Sequence, residues 1–126
     1  MKIVTLIARL LLGLMFVVFG SNGFLHFIPM GSLPPGPAGG FEGALMGTPY
    51  FYAVAAVMVV SGVLFLVNRF VPLGLTLLGP VLVNILLFHA FLLHQGFQAG
   101  VVATLLWFLV FYAHRRAFAG IFEAKV

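Results

Sequence analysis

Five polar side chains that could bind a ligand or exchange a proton interrupt an otherwise apolar sequence: Asn22, His26, Glu42, Asn84 and His89. Asn22 and His26 are four positions apart, so a helix would bring them to one face. Asn84 and His89 lie in a later apolar segment, and positions five apart point about 140° away from each other on a helix. Amides and imidazoles inside a membrane are costly unless they face protein or water. We therefore expect these groups to line a ligand pocket between the first and third apolar segments, capped by the segment around Glu42.

The same side chains also allow simpler interpretations. An asparagine in a membrane helix often joins two helices through hydrogen bonds of about 0.6 to 2 kcal/mol, and we expect Asn84 to be buried against another helix. A histidine near a membrane surface is often merely solvated. His26, His89 and Glu42 are metal-ligand types, but no spacing such as His-x-x-x-His connects them, so no metal site is predicted. No catalytic residue is assigned.

Two arginines, Arg9 and Arg69, have two interpretations each, as topology anchors or as functional cations. Arg9 lies roughly two turns inside the first apolar segment, close enough to the membrane surface for its side chain to reach it. As an anchor it needs only headgroups and water. As a functional cation it would reach inward toward Asn68, Ser61 or an anionic ligand.

The composition indicates the environment in which these groups must be positioned. The chain of 126 residues is 63% hydrophobic and only 6% charged, far from the average of about 25% charged residues in soluble proteins. The net charge of +4 does not indicate nucleic-acid binding, because the basic residues form no stripe or face. There is no cysteine, which excludes disulfides, thiolate metal sites and haem attachment through thioethers. The lipid bilayer is therefore the expected surroundings.

Four apolar segments are long enough to cross a membrane as helices, at approximately 3–27, 49–67, 72–94 and 98–114. The first is too long and too interrupted by Arg9 for a typical signal peptide, so we expect a retained span. The connection over 28–48 contains four prolines, and a short helix is expected there over Ala38 to Met46. The sequence thus predicts an all-α membrane protein, an antiparallel bundle of four transmembrane helices with a long external loop between spans one and two.

The basic residues predict the orientation of this bundle. If four spans alternate, every lysine and arginine falls on one side, and the two opposite connections contain none: Lys2, Arg9, Arg69, Arg115, Arg116 and Lys125. Cytoplasmic segments of membrane proteins carry such an excess of basic residues. Both termini are therefore predicted to be cytoplasmic.

Several motifs resemble the DoxX-like family of small bacterial membrane proteins. They are the run Ala8-Arg9-Leu10-Leu11-Leu12-Gly13, the spacing Gly20-x-Asn22-Gly23, the turn Asn68-Arg69-Phe70-Val71-Pro72-Leu73, and Pro80-x-x-x-Asn84 continuing through Ile85-Leu86-Leu87-Phe88-His89. The resemblance covers nearly the whole chain. It implies four antiparallel membrane helices in the bacterial inner membrane and an association with redox chemistry, since relatives include the large subunit of thiosulfate:quinone oxidoreductase and proteins linked to oxidative stress. Many relatives have an acidic residue in span two where this chain has Met58, which puts any role of that carboxylate in doubt.

Two functional hypotheses follow. In the first, the chain is the membrane subunit of a quinone-linked oxidoreductase: the polar pocket binds a quinone flanked by Phe16, Phe19, Phe88 or Phe91, and a redox partner protein supplies electrons. In the second, it is a non-enzymatic membrane protein that binds lipid or a partner, or forms a homo-oligomer. The sequence leaves both open.

Overall fold

The computed structural model describes residues 2–26, 33–94 and 96–124, and within these ranges every regular element is a helix. There are five α-helices, a π-helical segment that continues the fourth, and a final 3₁₀ segment: α1 (Lys2–Leu25), α2 (Gly36–Met46), α3 (Tyr50–Val67), α4 (Val71–Leu87), the π segment (Phe88–Leu93), α5 (Phe97–Ala113) and the 3₁₀ segment (Arg115–Phe122). When the π segment is counted with α4, the long helices begin and end within two residues of the limits expected for the four apolar segments.

Three helices are long and apolar enough to cross a membrane: α1, α3, and α4 together with the π segment. Helix α5 has 17 residues, and the 3₁₀ segment that follows it is bent away by 85°, so a fourth span arises only if this pair counts as one. Many large apolar side chains on the outer faces of these helices are exposed, among them Ile7, Leu14, Val83 and Leu105. Length, composition and exposed apolar faces are those of a multi-pass membrane protein.

Helices α1 and α3 pack through their backbones. A Cβ atom added to Gly62 would lie 2.7 Å from the carbonyl oxygen of Gly13, and one added to Gly20 would lie 2.9 Å from that of Ala55. The contacts occur in opposite order along the two helices, which therefore run in opposite directions. Small residues at a helix interface permit such close approach, as expected from the Ser61-Gly62 pair in the sequence.

Helix α4 packs against α3 and α5. The turn between α3 and α4 is short because Asn68 and Phe70 both adopt left-handed backbone conformations, with φ of 56° and 54°. The indole Nε1 of Trp107 in α5 donates to the carbonyl oxygen of Leu75 at 3.1 Å. Helix α5 also contacts α1. The core between these helices contains fully buried side chains, including Leu12, Phe65, Leu75, Leu78 and Val110.

The connection between α1 and α3 contains a helix of its own. We expected helical structure from Ala38, and α2 begins two residues earlier, after Pro35 and with Pro37 in its first turn. Proline is favoured in a first turn because the amide hydrogen that it lacks would have no partner there. Ala38 is almost fully buried, so α2 packs against the rest of the molecule. The part of this connection over 27–32 lies outside the described residues, as does Lys125.

Candidate functional site

A cavity lies between α2, α3, α4 and the π segment. Its volume is about 610 Å³, within the usual range of small-molecule sites, which is about 300 to 1,000 Å³. Helix α3 contributes residues from its first half and α4 from its second half, so the cavity lies at one end of the helices. Helix α2 forms a further wall of the cavity at this end. The cavity is thus formed where α2 packs beside α3 and the π segment.

Aromatic side chains form much of the cavity wall. Phe41 of α2 and Phe88 of the π segment have ring centroids 5.5 Å apart at an interplanar angle of 31°. Phe51 and Tyr50 contribute from α3, and the buried thioether of Met58 lies farther along the same helix. Flat rings and a polarisable sulfur offer an apolar surface on which a planar ligand can stack.

Three of the polar side chains in the lining are Glu42 from α2, Asn84 from α4 and His89 from the π segment; Thr48 and Tyr50 add hydroxyl groups. Nδ2 of Asn84 donates to the carbonyl oxygen of Pro80 at 2.9 Å. One amide hydrogen of Asn84 is engaged by this bond, and the other amide hydrogen and the amide oxygen are not committed to it. These are three of the five side chains that the sequence predicts for a single ligand pocket.

His89 is held in position by aromatic neighbours. Its ring lies edge-on to Phe88 with centroids 5.3 Å apart, and it is 6.3 Å from the ring of Phe97. Gly96, with φ of 77°, packs against it: a Cβ atom there would lie 3.3 Å from Cε1 of the imidazole. Single π turns are frequent at functional sites because the extra residue changes the direction of the side chains that follow. Here the π segment begins immediately before His89.

The prediction that Asn22 and His26 share a helical face is wrong. Helix α1 ends at Leu25, and His26 follows it in a left-handed conformation with φ of 53°. Its amide donates to the carbonyl oxygen of Asn22 at 2.9 Å, which satisfies a carbonyl at the end of the helix. The side chain of His26 is exposed, whereas Asn22 is 5% exposed. Neither residue lines the cavity.

The expectation that Asn84 is buried against another helix is also wrong, because its side chain is exposed and its described hydrogen bond is to its own helix. The spacing of Pro80 and Asn84 allows this local bond, which satisfies one amide hydrogen of Asn84 without a second helix. The expected position of the pocket needs a correction too. No residue of α1 lines the cavity, which lies between α2, α3 and α4 instead of between spans one and three.

Of the four phenylalanines expected beside a ligand, only Phe88 lines the cavity. Phe16 is buried in the core, and Phe19 and Phe91 are exposed. The sequence interpretation missed Phe41 and Phe51. Phe41 could have been found from the sequence, because it lies next to the candidate residue Glu42 in the predicted short helix.

Arg9 lies at the opposite end of the helices and points into the protein. It is 8% exposed, and its Nη1 donates to the carbonyl oxygen of Phe65 near the end of α3. The side chain of Arg9 therefore reaches inward, and its partner among the described hydrogen bonds is this backbone carbonyl instead of the expected Asn68 or Ser61. Arg69, in the α3–α4 turn, is exposed.

Among the described residues, no group of three or more histidine, cysteine, aspartate or glutamate side chains is arranged to hold a metal ion. Comparisons of the chain with models of known protein families, with curated proteins and with solved structures find no match. The chemistry of the cavity has to be inferred from its own residues.

Proposed function

We propose that the protein is the membrane subunit of a quinone-linked oxidoreductase and that a quinone ring occupies the cavity between α2, α3 and α4. The observation that carries this proposal is the combination of residue types that line the cavity. An apolar space of about 610 Å³ with aromatic walls contains a carboxylate, an amide and an imidazole. Ligand sites typically combine an apolar, aromatic lining with a few polar groups that set orientation.

Three of the polar side chains have different roles in binding the quinone. The amide hydrogen of Asn84 that does not serve Pro80 donates to a ring carbonyl. Glu42 and His89 are the side chains of the cavity that can release or accept protons. A quinone takes up two electrons and two protons when it is reduced, so groups that exchange protons are useful beside it. Phe41 and Phe88, which contact each other, supply an apolar wall against which the quinone ring packs.

Electrons come from a partner protein in this proposal. The chain has no cysteine, and it contains no G-x-G-x-x-G fingerprint of a dinucleotide or flavin site. The protein therefore provides the quinone site and its membrane position, and the partner provides the redox centre that exchanges electrons with a donor.

The membrane arrangement that we propose is an antiparallel bundle of α1, α3, α4 and α5 in the bacterial inner membrane, with both termini in the cytoplasm. The cavity then faces the outer half of the bilayer, and α2 lies in the external connection. This orientation is supported by the basic residues, since Lys2 and Arg9 meet Asn68 and His114 at the end opposite the cavity. Reporter fusions test it. A periplasm-active phosphatase joined after Val126 should be silent, and the same reporter inserted within Gly36 to Gly40 should be active; the reverse pattern would contradict the orientation.

The direct test of the function is to identify what the protein carries. The protein is solubilised gently, purified and extracted with organic solvent, and the extract is examined by mass spectrometry. We expect quinone at a near-stoichiometric amount. An extract in which quinone stays at the level found for an unrelated membrane protein purified in parallel counts against the proposal.

A matched pair of histidine variants locates the site. His89→Ala should weaken the binding of a quinone analogue by roughly 1 kcal/mol or more, about fivefold, as expected for a lost buried hydrogen bond. His26→Ala is the control, because His26 lies outside the cavity and is exposed. Asn84→Ala should behave like His89→Ala. Equal binding by all three variants contradicts this position of the site.

One observation favours a second function, the binding of lipid without catalysis. Met58 places a thioether in the cavity at the position where the resemblance predicts a carboxylate, so this wall is more apolar than a proton-transfer site requires. A lipid acyl chain would fit such a wall. The extract distinguishes the two, since retained phospholipid without quinone supports this second function.

A further inference from the structure

A second cavity lies at the other end of the helices, where the first two turns of α1 meet the ends of α3 and α5. Its volume is about 370 Å³, and it is lined by two cationic, three other polar and two apolar residues: Lys2, Arg9, Thr5, Asn68, His114, Leu6 and Ala113. The quinone site does not use any of them. The two cavities share no residue.

This cavity carries positive charge that no carboxylate of the described lining offsets. Lys2 and Arg9 contribute two cationic side chains, and the lining contains no carboxylate. The whole chain has two acidic residues, Glu42 and Glu123. Glu42 lines the other cavity, and neither of them forms an ion pair within the described part of the chain. A bound anion would supply the counter-charge that the described residues do not.

The unbalanced positive charge matters most at Arg9, because this side chain is buried. A cation with 8% of its surface exposed loses most of its hydration, a loss that has to be compensated by an opposite charge or by several hydrogen bonds. Within the described residues its guanidinium donates to one acceptor, the carbonyl oxygen of Phe65. That carbonyl lies at the negative end of the α3 dipole, which offsets a part of the charge. The guanidinium has further N–H donors, and it borders the cavity.

The other polar groups suit the same type of ligand. Nδ1 of His114 lies 3.0 Å from the carbonyl oxygen of Val110, which can only accept, so Nδ1 carries the hydrogen. In the neutral ring Nε2 is then an acceptor, which can bind the hydroxyl hydrogen of a protonated phosphate or of a lipid headgroup. Thr5 and Asn68 add a hydroxyl and an amide. A guanidinium and an ammonium among neutral donors are the groups that bind phosphate oxygens through short, charge-assisted hydrogen bonds.

We infer that this basic cavity binds a phosphate group. Two sources share that chemistry: the headgroup of an anionic phospholipid, and phosphate or a soluble phosphate ester. The cavity lies at the end of the helices where the basic residues gather, the position of lipid phosphates if the helices cross a bilayer. Bound phosphate would compensate Arg9 and at the same time join the ends of α1, α3 and α5.

The test measures ligand-dependent melting of the full chain in a non-ionic detergent. The protein is titrated with short-chain phosphatidylglycerol, with short-chain phosphatidylcholine and with inorganic phosphate, at constant ionic strength. We expect phosphatidylglycerol, inorganic phosphate or both to raise the melting temperature saturably, and phosphatidylcholine to have a much smaller effect. Saturation by phosphatidylglycerol alone identifies the lipid headgroup as the source, whereas saturation by inorganic phosphate identifies a soluble ligand.

Variants show whether the effect arises in this cavity. Arg9→Gln should weaken binding tenfold or more. Because Arg9 also contacts α3, a second variant, Lys2→Gln combined with His114→Gln, removes the ammonium charge and the imidazole without altering the buried arginine and should weaken binding similarly. Arg69→Gln and Arg116→Gln are matched controls, since both residues are exposed at the same end but outside the cavity. The inference is overturned if neither probe binds saturably, or if the double variant binds like the controls.

Discussion

The two sides of α3 show opposite ways of packing a helix. On one side α3 meets α1 with backbone against backbone, and a Cβ atom at Gly62 would lie 2.7 Å from Gly13 and 2.8 Å from the amide of Val17. On the other side Val54 faces a cavity of about 610 Å³, and Phe51 and Met58 line it as well while also contacting α1 at Gly23 and Gly20. A single helix therefore has one face with no space for an added atom and another with space for a ligand.

The difference arises from the size of the side chains at each contact. Glycines let α1 and α3 approach until their backbones touch, and the interface is rigid because neither backbone can give way. The large rings of Phe41 and Phe88 contact each other in the wall of the cavity and separate α2 from α4. We conclude that the α1–α3 side is the scaffold and that the α2–α4 side is the site. Four predictions follow from this contrast, in order of expected effect.

The largest effect is expected for Gly62→Ala. The added methyl group would meet backbone atoms of α1 that cannot move aside, and we expect a loss of about 2 to 3 kcal/mol in the free energy of unfolding, the upper range for overpacking. Gly79→Ala is the matched control, because its methyl group would meet only Trp107 at an ordinary 3.8 Å. That change should be neutral or stabilise by about 0.5 to 1 kcal/mol. Melting in detergent compares them, and equal melting temperatures would contradict the rigid interface.

The second prediction concerns the open side. Ala44→Phe places a large ring in the cavity and should reduce the affinity for a quinone analogue at least about tenfold, equivalent to roughly 1.4 kcal/mol, because ring and ligand compete for one space. The melting temperature should change little. Ala53→Phe, at an exposed position of α3 outside the cavity, makes the same change in size and should bind normally. Unchanged affinity in Ala44→Phe would show that the ligand binds elsewhere.

The third prediction returns to the scaffold. The hydroxyl of Ser61 is fully buried next to the α1–α3 contact and has no hydrogen-bond partner among the described residues. Ser61→Ala removes an unpaired polar group and should stabilise the protein by about 1 kcal/mol. Thr104→Val is the contrasting change, because the Thr104 hydroxyl donates to the carbonyl oxygen of Gly100 at 2.7 Å, and it should destabilise slightly. A lower melting temperature for Ser61→Ala would indicate an unrecognised partner of its hydroxyl.

The smallest effect is expected for the stability of Asn84→Leu. Because Asn84 is exposed and bonds only its own helix among the hydrogen bonds described, we expect a change within about 0.5 kcal/mol, as for most surface substitutions. Leu82→Val is the comparison: Leu82 is 4% exposed, and its truncation should cost more, about 1 kcal/mol. If Asn84→Leu destabilises the protein more than Leu82→Val, the amide is buried against another helix after all, in this chain or in a second copy.

Local features of the sequence predicted much of the fold. The limits of α1, α3, α4 and α5 could be read from the apolar runs and from the Pro and Gly residues beside them, since both act over a few residues. Glu42, Asn84 and His89 were recognised because polar groups are rare in such a chain. The position of His26 could not be read, because the helix ends one residue before it through a left-handed conformation that an otherwise helical pattern does not reveal.

The sequence by itself determined that the chain consists of long apolar helices with its basic residues near one set of ends, because hydrophobic length and charge are properties of each segment alone. Only the tertiary structure decided which faces meet. The bond from Asn84 to Pro80 turns that amide away from a second helix, the glycines of α1 select α3 as its closest neighbour, and α2 folds beside α4 to enclose a cavity without α1. These outcomes depend on contacts between residues far apart in the chain, where side-chain size and backbone geometry act together and no single segment carries the information.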